Sequence, residues 1–256
     1  DMALNSRLVF YQMPSSSLKK CFAYCSNFPK DHGIDKEQLV QLWIAEGLIE
    51  PEDESALDLE DKGYELFYIL LHHCLLEAAK KDIYGNVTHC RVPDALYRLA
   101  VSHSRYDSID SENPTRKDTL VRYLRAQSIE QDDIPGECNL IVHSMDGKIQ
   151  RVEASRMLNV STLILKSNIS DDLLLNFKFL HVLNLSYADI EELSFSIGNL
   201  VHLRYVDLSG NRFKVLHESI CLLYNLETLR LLECPSLKVL PMDISNLISL
   251  RHLHFY

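Results

Sequence analysis

The chain has 256 residues, enough for roughly two ordinary domains. Apolar residues make up 46% and charged residues 24%, which excludes a disordered or collagen-like chain. A net charge of −10 argues against nucleic acid or anionic membrane as partner unless one face is locally basic, and no apolar run approaches the ~18–20 residues of a membrane span.

At the N-terminus Asn5, Ser6 and Arg7 interrupt the apolar core that a signal peptide would need. The chain begins with Asp1, and we expect it to be a piece of something longer. Seven cysteines, an odd number without close pairing, suit a reducing compartment, so a cytoplasmic or nucleo-cytoplasmic location is expected.

Residues 1–105 carry helical periodicity. Ser15–Ser17 can cap a helix with Leu18, Cys21, Phe22 and Cys25 on one stripe, and Pro29 ends it. Asp35 caps a second helix bearing Leu39, Leu42 and Trp43, with Gly47 at the position that favours a left-handed residue. An acidic run, Glu50–Asp61, leads into a third helix from Leu57 to about His72. Leu75–Ala79 and Val87–Val92 read as a hairpin around Tyr84-Gly85-Asn86. A last helix starts near Pro93 and Asp94, with proline suited to the first helical position and the acid suited to the helix dipole. Three helices and a hairpin make a winged-helix plan. Residues 106–119 are polar, contain Asn113-Pro114 and read as a linker.

Residues 120–256 are expected to be repeats, clear from 160. Leu180-x-x-Leu183-x-Leu185, Leu203-x-x-Val206-x-Leu208, Leu226-x-x-Leu229-x-Leu231 and Leu250-x-x-Leu253-x-Phe255 start 23, 23 and 24 residues apart. Val160-x-x-Leu163-x-Leu165 fits 20 residues earlier. Each phrase is followed by a second apolar set, such as Ile190, Leu193, Ile197 and Leu200. This is the leucine-rich repeat, in which one strand and one helical or 3₁₀ turn per unit stack into a solenoid. The expected fold class is therefore an α+β winged-helix domain followed by an α/β leucine-rich-repeat solenoid with a curved parallel sheet. The ladder positions are Asn168, Ala188, Asn211 and Cys234. A buried asparagine there satisfies turn backbone groups, whereas the turn at Ala188 should be looser. Residues 121–124 and 148–152 could be further strands whose register the pattern does not give. The last strand phrase has no successor before Tyr256, so it should be the least protected and prone to self-association.

The runs Met13-Pro14-Ser15-Ser16-Ser17-Leu18-Lys19-Lys20-Cys21-Phe22-Ala23-Tyr24-Cys25-Ser26-Asn27-Phe28-Pro29 and Leu39-Val40-Gln41-Leu42-Trp43-Ile44-Ala45-Glu46-Gly47-Leu48-Ile49 resemble the winged-helix part of the NB-ARC module. That module belongs to plant intracellular immune receptors of the coiled-coil NB-LRR type, in which leucine-rich repeats follow. The resemblance covers about 15–105 and 160–256. It implies recognition of a pathogen effector or a guarded host protein, coupled to an ADP/ATP switch and to contacts with a nucleotide-binding domain N-terminal to this segment. No G-x-x-x-x-G-K-[ST] occurs in the 256 residues, so no cofactor is expected for this chain and ADP or ATP is implied only for a full-length parent. The family's Met-His-Asp motif aligns with Val92-Pro93-Asp94. Pro93 cannot donate a hydrogen bond to a phosphate in place of the family's histidine, while Asp94 matches.

Other chemistries are weaker. Cys21 and Cys25 have a helical metal-ligand spacing but lie on the apolar stripe with no paired histidine, so no metal is expected. No context singles out a nucleophile, and the chain is not expected to be an enzyme. A winged helix can bind DNA, but the second helix is not basic and residues 1–105 hold 11 basic against 16 acidic side chains. Sequons at Asn86, Asn159, Asn168 and Asn184 raise a secreted repeat protein as an alternative, and the repeats alone would suit a binding scaffold unrelated to immunity. The acidic run could dock a basic partner or be a solvated surface. The expected protein-binding surface is the concave strand face, formed by the residues between the inward leucines: His181, Asn184, Arg204, Tyr205, Asp207, Glu227, Thr228, Arg230, Arg251, His252 and His254.

Overall fold

A computed structural model describes residues 8, 10, 11, 13, 15–49, 59–104, 123–131, 139–143, 149–153 and 159–256. The chain forms two compact units, Asp1–Thr119 and Leu120–Tyr256. The expected linker at 106–119 and most of the acidic run at 50–61 lie outside the described residues.

In the first unit α1 spans Ser16–Tyr24. Ser15 caps it, its side chain accepting the Leu18 N–H at 3.4 Å. Leu18, Cys21 and Phe22 are buried along its stripe, and the Cys25 thiol donates to the Cys21 carbonyl at 3.3 Å. A two-residue strand β1 (Ile34–Asp35) leads into α2 (Lys36–Ala45). Asp35 caps α2 with a 2.8 Å bond from the Gln38 N–H. Gly47 (φ +67) turns the chain out of it, with the Gly47 N–H bonded to the Ile44 carbonyl and the Leu48 N–H to the Trp43 carbonyl. A third helix, α3, spans Leu59–His72.

The hairpin pairs β2 (Glu77–Lys81) with β3 (Val87–Arg91), and the sheet order is β1-β3-β2. Its first strand begins two residues later than the expected Leu75. The cause is local: the Leu75 and Leu76 N–H groups both bond to the Leu70 carbonyl, so these residues close α3 and bury their side chains instead. The Asp82 carboxylate accepts the N–H groups of Tyr84 and Asn86, each at 2.8 Å, which fixes the turn. These bonds and that from the Asn86 side chain hold the Asp82 carboxyl below its ordinary pKa. The last helix of this unit, α4, spans Asp94–Ser104. Pro93 stands just before it, its carbonyl accepting from the Leu96 and Tyr97 N–H groups, and does not occupy the first helical position as expected. The Tyr97 hydroxyl ties α4 to the end of α1, donating to the Phe28 and Ser26 carbonyls at 2.9 and 3.2 Å.

In the second unit six parallel strands stand in the order β12-β11-β10-β9-β8-β4. They are β4 (Tyr123–Ala126), β8 (Thr162–Leu165), β9 (Val182–Asn184), β10 (Tyr205–Asp207), β11 (Thr228–Leu231) and β12 (His252–Phe255). The register aligns Leu124, Leu163, Leu183, Val206, Leu229 and Leu253, as the repeat phrase requires. Leu163, Leu183, Val206 and Leu229 are fully buried, each stabilising the stack by ~1.5–3 kcal/mol. Short helical turns return the chain at Asp171–Leu174, Phe195–Asn199, Glu218–Leu222 and Met242–Asn246. At the β12 edge the core thins, and Leu253, Phe255 and Tyr256 are exposed. The architecture is the expected winged helix followed by an α/β repeat solenoid.

The unregistered region divides in two. The candidate strand at 121–124 overlaps β4 at Tyr123 and Leu124, with 121–122 outside the described residues, and β4 joins the solenoid in register. The one at 148–152 does not. It is β7 (Ile149–Glu153) of a separate antiparallel sheet with β5 (Ser128–Gln131) and β6 (Asn139–His143), in the order β5-β6-β7.

The ladder also differs from expectation. Asn211 is buried as anticipated. Its amide donates to the Leu185 and Leu208 carbonyls at 2.9 and 2.7 Å and its oxygen accepts the Ile190 N–H at 3.0 Å. Asn168 is exposed and, among the described residues, its side chain bonds only its neighbour, accepting the Ile169 N–H. Nor is the turn at Ala188 loose. The Tyr187 N–H bonds to the Ser209 carbonyl at 2.8 Å, its hydroxyl donates to Glu233 at 2.7 Å, and Lys166 donates to the Ser186 carbonyl at 2.8 Å.

Candidate functional site

The strand register collects seven of the eleven expected binding residues into two columns, while His181, Arg204, Glu227 and Arg251 each stand one residue before a strand. One runs Arg125, Ile164, Asn184, Asp207, Arg230, His254, and the other runs Tyr123, Thr162, Val182, Tyr205, Thr228, His252. Arg251 is exposed, while His181, Asn184, Arg204, Glu227, Arg230, His252 and His254 are partly buried. Tyr205, Asp207 and Thr228 are 0%, 3% and 2% exposed, so these three are not surface as expected. Alternation gives the direction of a side chain, but parallel strands stand only ~4.8 Å apart, and large neighbours in a column cover one another.

Asp207 is the centre of this packing. Its carboxylate accepts the Ser209 N–H at 3.0 Å and lies 3.5 Å from both the Tyr205 hydroxyl and Arg230 Nε. The Arg230 contact is an ion pair without hydrogen-bond alignment, since that buried Nε makes no hydrogen bond. Arg204 stands 4.0 Å from Glu227, a loose pair. The His252 and His254 rings stack with centroids 6.2 Å apart. The result is a strip of mixed charge with cations at Arg204, Arg230 and Arg251, an arrangement suited to a protein surface of complementary pattern.

Sequence reasoning missed the residues just beyond the strands. Tyr187, Gly210 and Glu233 occupy one repeat position, two after the strand's last leucine, and all have positive φ (56°, 71° and 54°). The Tyr187 ring lies against Gly210, where a Cβ would fall 2.3 Å from it. Glu233 holds the phenol and raises the Tyr187 pKa to about 12. Lys166 lies 5.5 Å from the ring centroid. Gly210 is the one signal in the sequence that could have marked this position.

In the first unit Pro93 lines a groove of about 500 Å³ with Leu71, Leu76, Ala78, Val87 and Leu96. Asp94 pairs with Lys30 at 2.9 Å, which holds its carboxyl below the ordinary range and Lys30 above its own. These residues do not fit a nucleotide phosphate. Pro93 has no N–H, Asp94 is an anion, and the cations beside it, Lys30 and Arg91, are paired with Asp94 and Glu77. Residues Leu39 to Ala45 of α2 are all buried, so this stretch presents no face to a duplex. Burial pushes the Cys21 and Cys25 thiols upward and Cys90 up to about 12, which disfavours the thiolates a metal needs. Among the described residues no His, Cys, Asp or Glu group could hold a metal ion, and no helix is long and apolar enough to cross a membrane.

Two families match this chain. The disease resistance protein winged helix domain covers residues 28–100 and a leucine-rich repeat region covers 160–256. The chain is 34% identical over 227 residues to RPP13-like protein 1 of Arabidopsis thaliana, covering 87% of this chain and 20% of that protein. It is 33% identical over 205 residues to disease resistance protein RGA1 of Solanum bulbocastanum, covering 80% and 17%. It is 29% identical over 259 residues to the ToMV susceptible protein tm-2 of Solanum lycopersicum, covering 96% and 28%. The chain thus spans less than a third of each of these relatives. The winged helix, the repeat sheet that follows it and these likenesses together place the chain in the plant NB-LRR disease-resistance family.

Proposed function

We propose that the chain serves as part of a plant innate immune receptor, in which the strand face of the repeats takes up a protein and the winged helix couples that event to a nucleotide-dependent switch. The partner is a pathogen effector or a guarded host protein, and the setting is cytoplasmic. The observation that carries this reading is the strip of mixed charge across β9 to β12, with Arg204, Arg230 and Arg251 in successive repeats. ADP or ATP is held by residues outside 1–256, and the winged helix packs against that nucleotide-binding part. The chain acts by binding and regulation, with no catalytic step of its own and no contact with nucleic acid.

The test is a charge-reversal variant, Arg204→Glu, Arg230→Glu and Arg251→Glu together. Partners isolated by display of plant and pathogen proteins against the wild-type chain are retested on it. Each arginine that is a central contact is expected to cost ~1–3 kcal/mol of binding, with the repeats still folded. A set of partners that bind the folded triple variant as tightly as the wild type would place recognition elsewhere.

A further inference from the structure

Tyr187 and Glu233 hold a costly backbone conformation on an exposed surface. Left-handed φ is disfavoured for side chains with a Cβ, and an aromatic residue there is a clear outlier. The cost is avoidable, because Gly210 fills the same position in the repeat between them. Joining the repeats does not require an aromatic or an acid at this place, since the Tyr187 N–H already bonds to the Ser209 carbonyl, a link any residue but proline could make.

What the two side chains add is recognition chemistry. The Tyr187 backbone is fixed by its N–H on Ser209, and the ring is held at two points, by its packing on Gly210 and by its hydroxyl on one Glu233 oxygen at 2.7 Å. It is nevertheless 56% exposed. An exposed aromatic that is already fixed loses little freedom on binding. Glu233 is also exposed, and its second carboxylate oxygen makes no hydrogen bond or ion pair among the described residues. The Lys166 ammonium stands 5.5 Å from the ring centroid and is itself held by the Ser186 carbonyl at 2.8 Å.

We propose that Tyr187 and Glu233, set across Gly210, form a preorganised receptor for an arginine side chain of a protein partner. The guanidinium stacks on the exposed part of the ring and donates to Glu233. Arginine fits better than lysine because its planar fork can bond a carboxylate while its face lies on an aromatic ring. The site lies in the loops beyond the strands, and reversals at Arg204, Arg230 and Arg251 leave its own groups in place.

The test is an NMR titration of the full chain with an acetylated, amidated glycine-arginine-glycine peptide, and with the same peptide carrying lysine or citrulline. The arginine peptide is expected to shift the Gly210 and Glu233 amides saturably. Lysine should bind about fivefold or more weakly, and citrulline should give no saturable shift. Glu233→Gln should abolish the arginine shift, and Tyr187→Leu should weaken it, in chains that keep the wild-type spectrum elsewhere. Equal shifts from arginine and citrulline in the wild type, or no shift at millimolar peptide, would overturn the proposal whatever the variants do. A Glu233→Gln chain that folds and still binds would overturn it as well.

Discussion

Asn211 shows how one buried polar side chain serves two repeats. It takes the carbonyls of Leu185 and Leu208 and the N–H of Ile190, all inside the stack. Asn211→Ala removes these bonds and leaves the backbone groups buried, and we expect a loss of about 2–4 kcal/mol in urea unfolding. Asn211→Cys should cost less, because Cys234 stands at the equivalent position and its thiol reaches the Leu208 and Leu232 carbonyls at 3.4 and 3.6 Å, ordinary distances for a sulfur donor. Equal stability of wild type and the alanine variant would mean that water replaces the amide. The ladder was legible at 211 and 234 from spacing alone. It was misread at 168, where the side chain turns outward, and at 188, where the Tyr187 backbone N–H on Ser209 and the Lys166 ammonium on Ser186 hold the turn. The same limit applied on the strand face. Alternation placed Tyr205, Asp207 and Thr228 on the right side of the sheet, but their cover comes from adjacent repeats, which a single phrase does not reveal.

Among the elements, the β2–β3 hairpin depends on a titrating turn. The Asp82 carboxylate receives two backbone N–H groups and the Asn86 side chain. Its pKa is lowered in the fold, so its contribution is complete above the unfolded value of ~3.9 and is lost as pH falls through the folded value. Hydrogen exchange should therefore show the Tyr84 and Asn86 amides losing protection on acidification while the Cys90 amide stays protected. Asp82→Ala should show the unprotected turn at neutral pH. Turn protection that does not change with pH would assign the turn to Gly85 (φ +88) and not to the carboxylate. This hairpin was legible as a hairpin, and its first strand was misplaced because Leu75 and Leu76 obey the helix end before them. The antiparallel strands β5 to β7 were not legible as a sheet. They interrupt the repeat period, and pairing between neighbouring strands leaves no recurring leucine phrase to count.

At the scale of the whole molecule the chain is two compact units, a winged helix and a run of repeats. Pro93 has no N–H to offer a phosphate, and Asp94 is ion-paired with Lys30. Titration calorimetry of ADP into the 256-residue chain should give no heat of binding at micromolar concentrations. A micromolar affinity would mean a phosphate site not formed by Pro93 and Asp94. We propose that recognition belongs to the strand face of the second unit, and the most direct test is the footprint of a bound partner in hydrogen–deuterium exchange. Protection is predicted over 204–207, 227–230 and 251–254, with no change in the turns Phe195–Asn199 and Glu218–Leu222 on the other side of each repeat. Protection concentrated in those turns, with the strands unchanged, would contradict the account.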